Sequence, residues 1–176
     1  MNVTAAGTGV PGHGALVYSG RDELISAAKD FFSSARAKGA GLFVAARSEN
    51  LADLASSAGG DGSPVAVADL NGPSTDPGRI FALIRMFARD YPRRLVCCWQ
   101  EVGWAGRPAD ELAEAMRYDA LVNDAFAGSP VTIVCCYDRE LGGEAVDDVQ
   151  CVHSPARRAD GTDGRFEVPL SRPPPG

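Results

Sequence analysis

Short apolar segments alternate with amphipathic helical segments along most of this chain, and this alternation restricts the folds open to it. The apolar segments contain few polar residues, as in strands that are buried on both faces of a sheet. We predict strands over residues 14–19, 42–46, 64–70, 94–99 and 131–136, and helices over residues 21–38, 49–58, 77–91 and 107–127. The alternation predicts a three-layer α/β fold, with a mostly parallel sheet of five or six strands and helices on both faces.

Residues with strong positional preferences mark the ends and faces of these helices. Ser48 is predicted to be the N-cap of the second helix, because its side-chain oxygen can accept a bond from a free backbone N–H. Gly39 is predicted to end the first helix, as glycine does at many helix C-termini. In the fourth helix, six apolar residues are predicted to face the core; they are Leu112, Ala115, Leu121, Val122, Ala125 and Phe126.

The chain is predicted to contain one folded domain with a loose segment at each end. Residues 1–12 are small, glycine-rich and without periodicity, and residues 156–176 mix charge, glycine and a terminal proline run. Both ends are predicted to be mobile. Within the tail, residues 165–168 are predicted to form a short edge strand that ends at a proline. Residues 13–155 are long enough to bury a core of their own.

Composition argues against several classes of protein. The formal net charge is −6 and no stripe of lysine or arginine is present, so we do not expect nucleic-acid binding. No segment approaches the roughly 20 apolar residues that a membrane helix needs, and the N-terminus lacks the pattern of a secretory signal. We therefore expect a cytoplasmic protein that does not bind membranes.

The five cysteines and two histidines do not have the spacing of a metal or redox site. Cys97-Cys98 and Cys135-Cys136 are adjacent pairs inside apolar segments, and neighbours on a strand point to opposite faces. We predict buried thiols rather than metal ligands. His13 precedes the first strand, which places it at the edge opposite to the one where parallel sheets bind ligands. We expect neither a metal ion nor a cofactor.

Candidate binding residues follow the fourth and fifth predicted strands. Glu101, Trp104 and Arg107 follow the fourth strand, whereas Tyr137 and Asp138 follow the fifth. Ligands of open α/β sheets bind outside the carboxyl ends of the strands, so these side chains are predicted to share one edge if the two strands are neighbours. An aromatic face and a planar guanidinium would provide a pocket wall and an anchor for a carboxylate or carbonyl group.

Each of these positions also has a structural interpretation. Trp104 is large enough to cover the sheet edge, and Arg107 has glutamates nearby with which to pair. Asp138 suits the capping of the turn that follows it. Asn123 lies among apolar neighbours in the middle of a helix and is a further candidate for ligand contact, although a hydrogen bond to a neighbouring loop or strand is the alternative.

The first strand-to-helix turn argues against nucleotide hydrolysis. A phosphate-binding loop needs G-x-x-x-x-G-K-[ST], so that backbone N–H groups surround the phosphates and the lysine supplies charge. Here the helix begins at once with Arg21, Asp22 and Glu23, and two acids stand where the phosphates would lie. Gln100-Glu101 after the fourth strand resembles one half of a nucleotide site, which is weak evidence by itself.

Several motifs in one order carry a family resemblance. They are HGALVY at residues 13–18, EVGWAGR at 101–107, ELAE at 111–114, DALVNDAF at 119–126, CYD at 136–138 and His153. This pattern resembles the MEDS domain, the methanogen/methylotroph DcmR-type sensory domain, over residues 13–155. The chain departs from the family pattern at Ala105, where proline is usual, at Asp119, where glutamate is usual, and at Ser154, which separates His153 from Pro155.

The resemblance implies a fold similar to the RecA/KaiC α/β core but lacking the phosphate loop. It also implies a non-catalytic sensory domain that recognises a small organic ligand and modulates a histidine-kinase-type protein or an anti-sigma or other transcription-regulatory protein, in trans or in the full-length chain. A homodimer is compatible with this hypothesis. Two alternatives remain open: a degenerate RecA-like nucleotide-binding protein, and a scaffold without a ligand that acts through protein–protein contacts.

Overall fold

The computed structural model describes residues 12–60, 62–71, 77–102, 118, 121–122, 124–126, 128–142, 154–155, 158–159 and 165–166. The elements in these ranges are β1 (His13–Tyr18), α1 (Arg21–Ala37), β2 (Gly41–Ala46), α2 (Ser48–Ala58), β3 (Val65–Asp69), α3 (Pro77–Asp90), β4 (Val96–Glu101), β5 (Val131–Asp138), α4 (Arg139–Gly142), β6 (Ser154–Pro155), β7 (Arg158–Ala159) and β8 (Arg165–Phe166).

The six-stranded main sheet has the strand order β3-β2-β4-β5-β1-β6, and each of its pairings is parallel. The predicted parallel α/β sheet is therefore confirmed, as is the expectation that the strands before Glu101 and Asp138 are neighbours. The strand predicted in the tail is described at Arg165–Phe166, where it pairs antiparallel with β7 and not with the main sheet. The predicted mobility of residues 1–12 and of the rest of the tail concerns segments almost wholly outside the described ranges.

Apolar side chains cover both faces of the sheet and pack against helices on each side, so the sheet is the middle one of three layers. On one face, Trp99 lies against Phe31 and Phe32 of α1, with ring centroids 5.4 and 5.8 Å apart. On the other face, Phe81 of α3 contacts Phe126 at 5.0 Å between centroids. Because successive strand residues alternate between faces, Cys97 lies in the core beneath α1, whereas Cys98 lies in the core beneath α3. This layering agrees with the three layers predicted from the alternating pattern.

The connection from α1 into β2 shows why the helix ends where it does. Gly39 has a φ of 68°, in the left-handed region that favours glycine. Its N–H donates to the carbonyl of Arg36 at 2.8 Å, and the N–H of Ala40 donates to the carbonyl of Ala35 at 3.1 Å. These two bonds form a Schellman motif, so the predicted end of the helix at Gly39 is confirmed.

Two predictions about helices are wrong. Ser48 is the first helical residue of α2 and not its N-cap, which is Arg47. The helix begins one residue earlier than predicted, and the hydroxyl of Ser48 donates to the carboxylate oxygens of Asp69 at 2.8 and 2.9 Å. Leu121 and Ala125, four residues apart, are exposed and not in the core, whereas Val122 and Phe126, also four residues apart, are buried as predicted.

Candidate functional site

Polar side chains from four neighbouring strands meet at the carboxyl edge of the sheet. Tyr18 ends β1, Glu101 ends β4, Asp138 ends β5, and Arg47 directly follows β2. The strands β2, β4, β5 and β1 are consecutive neighbours in the sheet, and parallel pairing brings all their carboxyl ends to one side. We call Tyr18, Arg47, Asn50, Glu101 and Asp138 the edge cluster.

Glu101 is the centre of the edge cluster, and only 1% of its surface is exposed. Its Oε1 accepts hydrogen bonds from the Tyr18 hydroxyl at 3.0 Å and from Nδ2 of Asn50 at 2.9 Å. Nε and Nη2 of Arg47 each lie 3.2 Å from the same oxygen, and the backbone N–H of Arg47 donates to Oε2 at 3.0 Å. The buried charge is thus paired and hydrogen-bonded, as the low dielectric of the interior requires.

Arg47 joins the buried glutamate to the outer carboxylates. Its Nη2 donates to the Tyr18 hydroxyl at 3.1 Å and lies 3.5 Å from Oδ2 of Asp138. Its Nη1 lies 3.4 Å from Oε1 of Glu49. Burial works against the charged guanidinium, yet the carboxylate of Glu101 and the oxygen of Tyr18 leave the pKa of Arg47 above its ordinary value. The side chain therefore stays cationic and holds three strand ends together.

Tyr18 remains a neutral hydrogen-bond donor in this environment. Burial, followed by the charge of Glu101, raises the pKa of its phenol far above the ordinary value of 10.0. The protonated hydroxyl can then donate to Glu101 while it accepts from Arg47. Tyr18 consequently stays protonated around neutral pH.

The outer rim of the carboxyl edge carries more carboxylates than cations among the described residues. Glu49 and Asp138 lie beside the guanidinium of Arg47, in addition to Glu101 beneath it, and Asp69 lies nearby at the end of β3, bound by Ser48. Oδ1 of Asp138 also accepts the N–H of the residue two positions later at 3.0 Å, so this aspartate caps the following turn. Excess negative charge opposes the approach of polyanions such as nucleotides.

The turn between β1 and α1 gives a second argument against phosphate binding. Only Ser19 and Gly20 separate the strand from the helix. The N–H of Ser19, which in a phosphate loop would face a ligand oxygen, donates to the carboxylate of Glu23 at 2.9 Å. A carboxylate of the protein itself therefore occupies the donor that a phosphate would need.

Three of the six predicted ligand contacts can be placed. Glu101 and Asp138 come together, with Arg47 between them. Tyr137 is fully buried on the opposite face of the sheet, in the core beneath α3. Trp104, Arg107 and Asn123 lie outside the described residues. A role in ligand binding stays a prediction for all six.

The sequence analysis missed Tyr18, Arg47 and Asn50. Each had a recognisable signal: a tyrosine ends the first apolar strand, an arginine directly follows the second, and an asparagine lies in the first turn of the next helix. Their convergence depends on β2 and β1 flanking the β4-β5 pair, which strand spacing alone does not reveal.

The described cysteines lie within the buried strands, where Cys136 pairs in register with Glu101, and His13 lies at the far edge of the sheet. Cys97, Cys98, Cys135 and Cys136 are free and buried, as predicted. Burial raises the pKa of the Cys97 thiol to about 12, which keeps it protonated and unreactive. His13 is buried at the opposite edge, with Nε2 3.3 Å from the sulfur of Cys135. The described ranges contain no group of histidine, cysteine and carboxylate side chains that could hold a metal ion.

A charged groove of about 320 Å³ lies between α1 and α2. Its lining residues are Arg21, Asp22, Ile25, Ser26, Lys29 and Asp53. An ion pair between Arg21 and Asp53 joins the two helices there. This lining suits a polar occupant rather than an apolar one.

None of the helices in the described ranges is long and apolar enough to cross a membrane.

Sequence comparison identifies the family. The chain belongs to the MEDS family, described as the MEthanogen/methylotroph, DcmR Sensory domain, whose sequence profile matches residues 12–154. The resemblance inferred from the motifs is thereby confirmed. No curated protein and no solved structure matches the chain. The similarity to a RecA/KaiC core stays a prediction.

Proposed function

We propose that this MEDS domain recognises a small organic molecule at the carboxyl edge and passes the occupancy of that site to a partner protein. Membership of a sensory family supports a regulatory role. The observation that carries the proposal is the burial of Glu101 at the end of β4, just before the predicted Trp104/Arg107 loop. Its carboxylate accepts hydrogen bonds from β1, from α2 and from the residue after β2. Trp104, Arg107 and Asp138 are the proposed ligand contacts.

The edge cluster is suited to positioning rather than to catalysis. A buried ion pair loses hydration energy that its mutual attraction scarcely offsets, so stability alone does not account for it. Both oxygens of Glu101 already accept hydrogen bonds, and this carboxylate is therefore poorly placed to take a proton from a substrate. We infer that Glu101 and Arg47 hold the strand ends and the start of α2 in one geometry beneath the ligand.

The charge of the edge restricts the class of ligand. The carboxylates of Glu49, Glu101 and Asp138 around Arg47 disfavour anions, while Trp104 and Arg107 would supply an aromatic wall and a hydrogen-bond donor. A neutral molecule with a carbonyl or hydroxyl oxygen fits this combination best. Nucleotides fit it poorly, because their phosphates would meet Glu23 at the first turn and the carboxylates of the rim.

The proposed output is a change in how the domain contacts a histidine-kinase-type, anti-sigma or transcription-regulatory protein of the cytoplasm. The partner is either separate or part of a longer chain, and a second copy of the domain is a further candidate. A ligand produces such a change only if it binds two conformations with different affinity. The connection of Glu101 to Arg47 and Asn50 offers a route from the ligand to α2.

Ligand-observed NMR with a panel of neutral alcohols and ketones, their carboxylate counterparts, and ATP with Mg²⁺ tests this proposal. We expect a neutral compound to bind, and we expect Trp104→Ala combined with Arg107→Ala to weaken binding about tenfold or more, which is about 1.4 kcal/mol. The matched control is Arg93→Ala combined with Leu121→Ala, two exposed positions, which should leave binding unchanged. Unchanged binding in the Trp104/Arg107 variant would reject the site, and clear binding of ATP would revive the nucleotide alternative.

A further inference from the structure

The outward face of α3 differs from the other described helix surfaces in its charge. Its exposed residues share one side of the helix; they are Gly78, Arg79, Ala82, Arg85, Met86, Arg89 and Asp90. Three of them are arginines, and Asp90 at the end of the helix is the one carboxylate among them. The chain as a whole has a formal net charge of −6, so this face is a local reversal of sign.

Two of these arginines, Arg85 and Arg89, have no side-chain partner in the part of the chain that the structure describes. Arg21 is paired with Asp53, and Arg47 is paired with Glu101. Across the described ranges, by contrast, Arg85 and Arg89 make no ion pair and no hydrogen bond. Their guanidinium groups are therefore free to bind carboxylates of another molecule.

Met86 adds an exposed apolar side chain beside these cations. It is 60% exposed, although methionine is usually buried in a soluble domain. Arg85 and Arg89 are four residues apart on one helical face, and Arg89 lies three residues after Met86. A flexible apolar side chain next to arginine is typical of protein interfaces, where methionine and arginine are both over-represented.

We propose that the α3 face, defined by Ala82, Arg85, Met86 and Arg89, docks an acidic segment of a partner protein that places an apolar residue on Met86. The complementary segment would carry carboxylates for Arg85 and Arg89 on either side of that residue. Nucleic acid fits less well, because few cations are available in an acidic chain. A membrane fits less well because one methionine provides too little apolar surface.

This inference specifies the chemistry of the output partner. It therefore rests on the proposed function, which requires such a partner. It does not depend on the ligand site. The two surfaces can be tested separately because the α3 face contains none of the proposed ligand contacts. Its residues are exposed, so their substitution should alter stability by no more than about 0.5 kcal/mol.

Photo-crosslinking of the full chain in its native cells tests the proposal. A photoreactive benzophenone amino acid replaces Met86, and adducts are identified by mass spectrometry of the crosslinked peptide. We expect one predominant adduct to an acidic peptide of another protein that also contains apolar residues. Arg85→Glu combined with Arg89→Glu should reduce the yield about tenfold, since both cation–carboxylate contacts become repulsive. Lys29→Glu combined with Arg139→Glu makes the same change in net charge at exposed positions elsewhere and should leave the yield unaltered.

Other outcomes overturn the proposal. An adduct to a second copy of this chain, to lipid or to nucleic acid identifies a different occupant. An adduct that persists after the double charge reversal at Arg85 and Arg89 shows that charge does not guide docking. A yield no higher than that from the same probe at Leu121, which is equally exposed, shows that the α3 face has no preferred partner. Circular dichroism of each variant establishes that it is folded before crosslinking.

Discussion

Trp99 and Glu101 are two residues apart on β4, project to the same face of the sheet, and are almost equally buried, at 0% and 1% exposure. Trp99 lies among the aromatic rings of α1, whereas Glu101 is surrounded by hydrogen-bond donors. Removing the tryptophan from water lowers the free energy of the folded state directly. Removing the glutamate from water loses hydration free energy, which its hydrogen bonds and ion pair must offset. The region around Glu101 therefore determines geometry more than stability.

The largest expected effect is at the apolar end of this comparison. Trp99→Ala should lower the free energy of unfolding by about 4 kcal/mol, because it removes a buried ring and leaves a cavity beside Phe31 and Phe32. Urea unfolding followed by circular dichroism measures this difference. The control Met86→Ala, at an exposed position, should change stability by less than about 0.5 kcal/mol. A loss below about 1 kcal/mol for Trp99→Ala would contradict its place in the core.

The second prediction separates two contributions to the free energy of unfolding: the cost of burying Glu101 without its cation, and the net stabilisation by the Arg47–Glu101 pair. Arg47→Met should destabilise the protein by about 3 kcal/mol, because Glu101 is left buried without its cation. Adding Glu101→Leu should restore most of that stability, since an apolar pair avoids the loss of hydration. Urea unfolding of the native chain, Arg47→Met, Glu101→Leu and the double variant gives the coupling free energy. If the double variant were as unstable as the single one, the pair would contribute to stability more than this comparison allows.

A smaller effect is expected from one hydrogen bond of the edge cluster. Tyr18→Phe removes a hydroxyl that donates to Glu101 and accepts from Arg47, and it should cost about 2 kcal/mol. Thermal unfolding compares it with the native chain. A crystal structure of the variant should show the Arg47–Glu101 pair intact, because four other donor contacts to the glutamate remain. Loss of that pair would mean that the hydroxyl organises the edge cluster.

The last expected effect, which is absent at neutral pH, is a pH dependence that comes from a thiol in the apolar core. The folded state holds the proton of Cys97 more tightly than the unfolded chain, since its pKa is raised from 9.0 to about 12. Stability from this thiol is therefore complete below pH 9.0 and is lost as the pH rises toward about 12. Above pH 9.0, the stability of Cys97→Ala should fall less steeply, by up to about 1.4 kcal/mol per pH unit. Urea unfolding at several alkaline pH values measures the two slopes, and equal slopes would show that the thiol is not protected by burial.

The elements and their parallel arrangement were predictable because they rest on local patterns. Continuous apolar runs identified five strands, and the adjacent cysteines were placed in two cores because strand residues alternate between faces. The hydrogen bond that Ser48 makes was not predictable. Its acceptor, Asp69, lies at the end of a strand whose proximity to α2 is a consequence of the sheet order.

In the candidate site, too, some residues were predictable from the sequence and others were revealed only by the structure. Glu101 and Asp138 were predicted to share an edge, and they do so because the strands that carry them are neighbours. Arg47 was not anticipated as the link between them. Tyr137, next to Asp138 in the chain, lies on the opposite face of the sheet, which shows that adjacency in sequence does not place two strand residues in one site.

The sequence by itself determined the local elements, the three-layer class and the MEDS family, because hydrophobic period, helix termination and ordered motifs are properties of short segments. The tertiary structure decided which strands are neighbours, and through that order it determined which polar groups met around Glu101. A buried charge can be satisfied only by donors from elements that are distant in the chain, here 83 residues away for Tyr18 and 54 for Arg47.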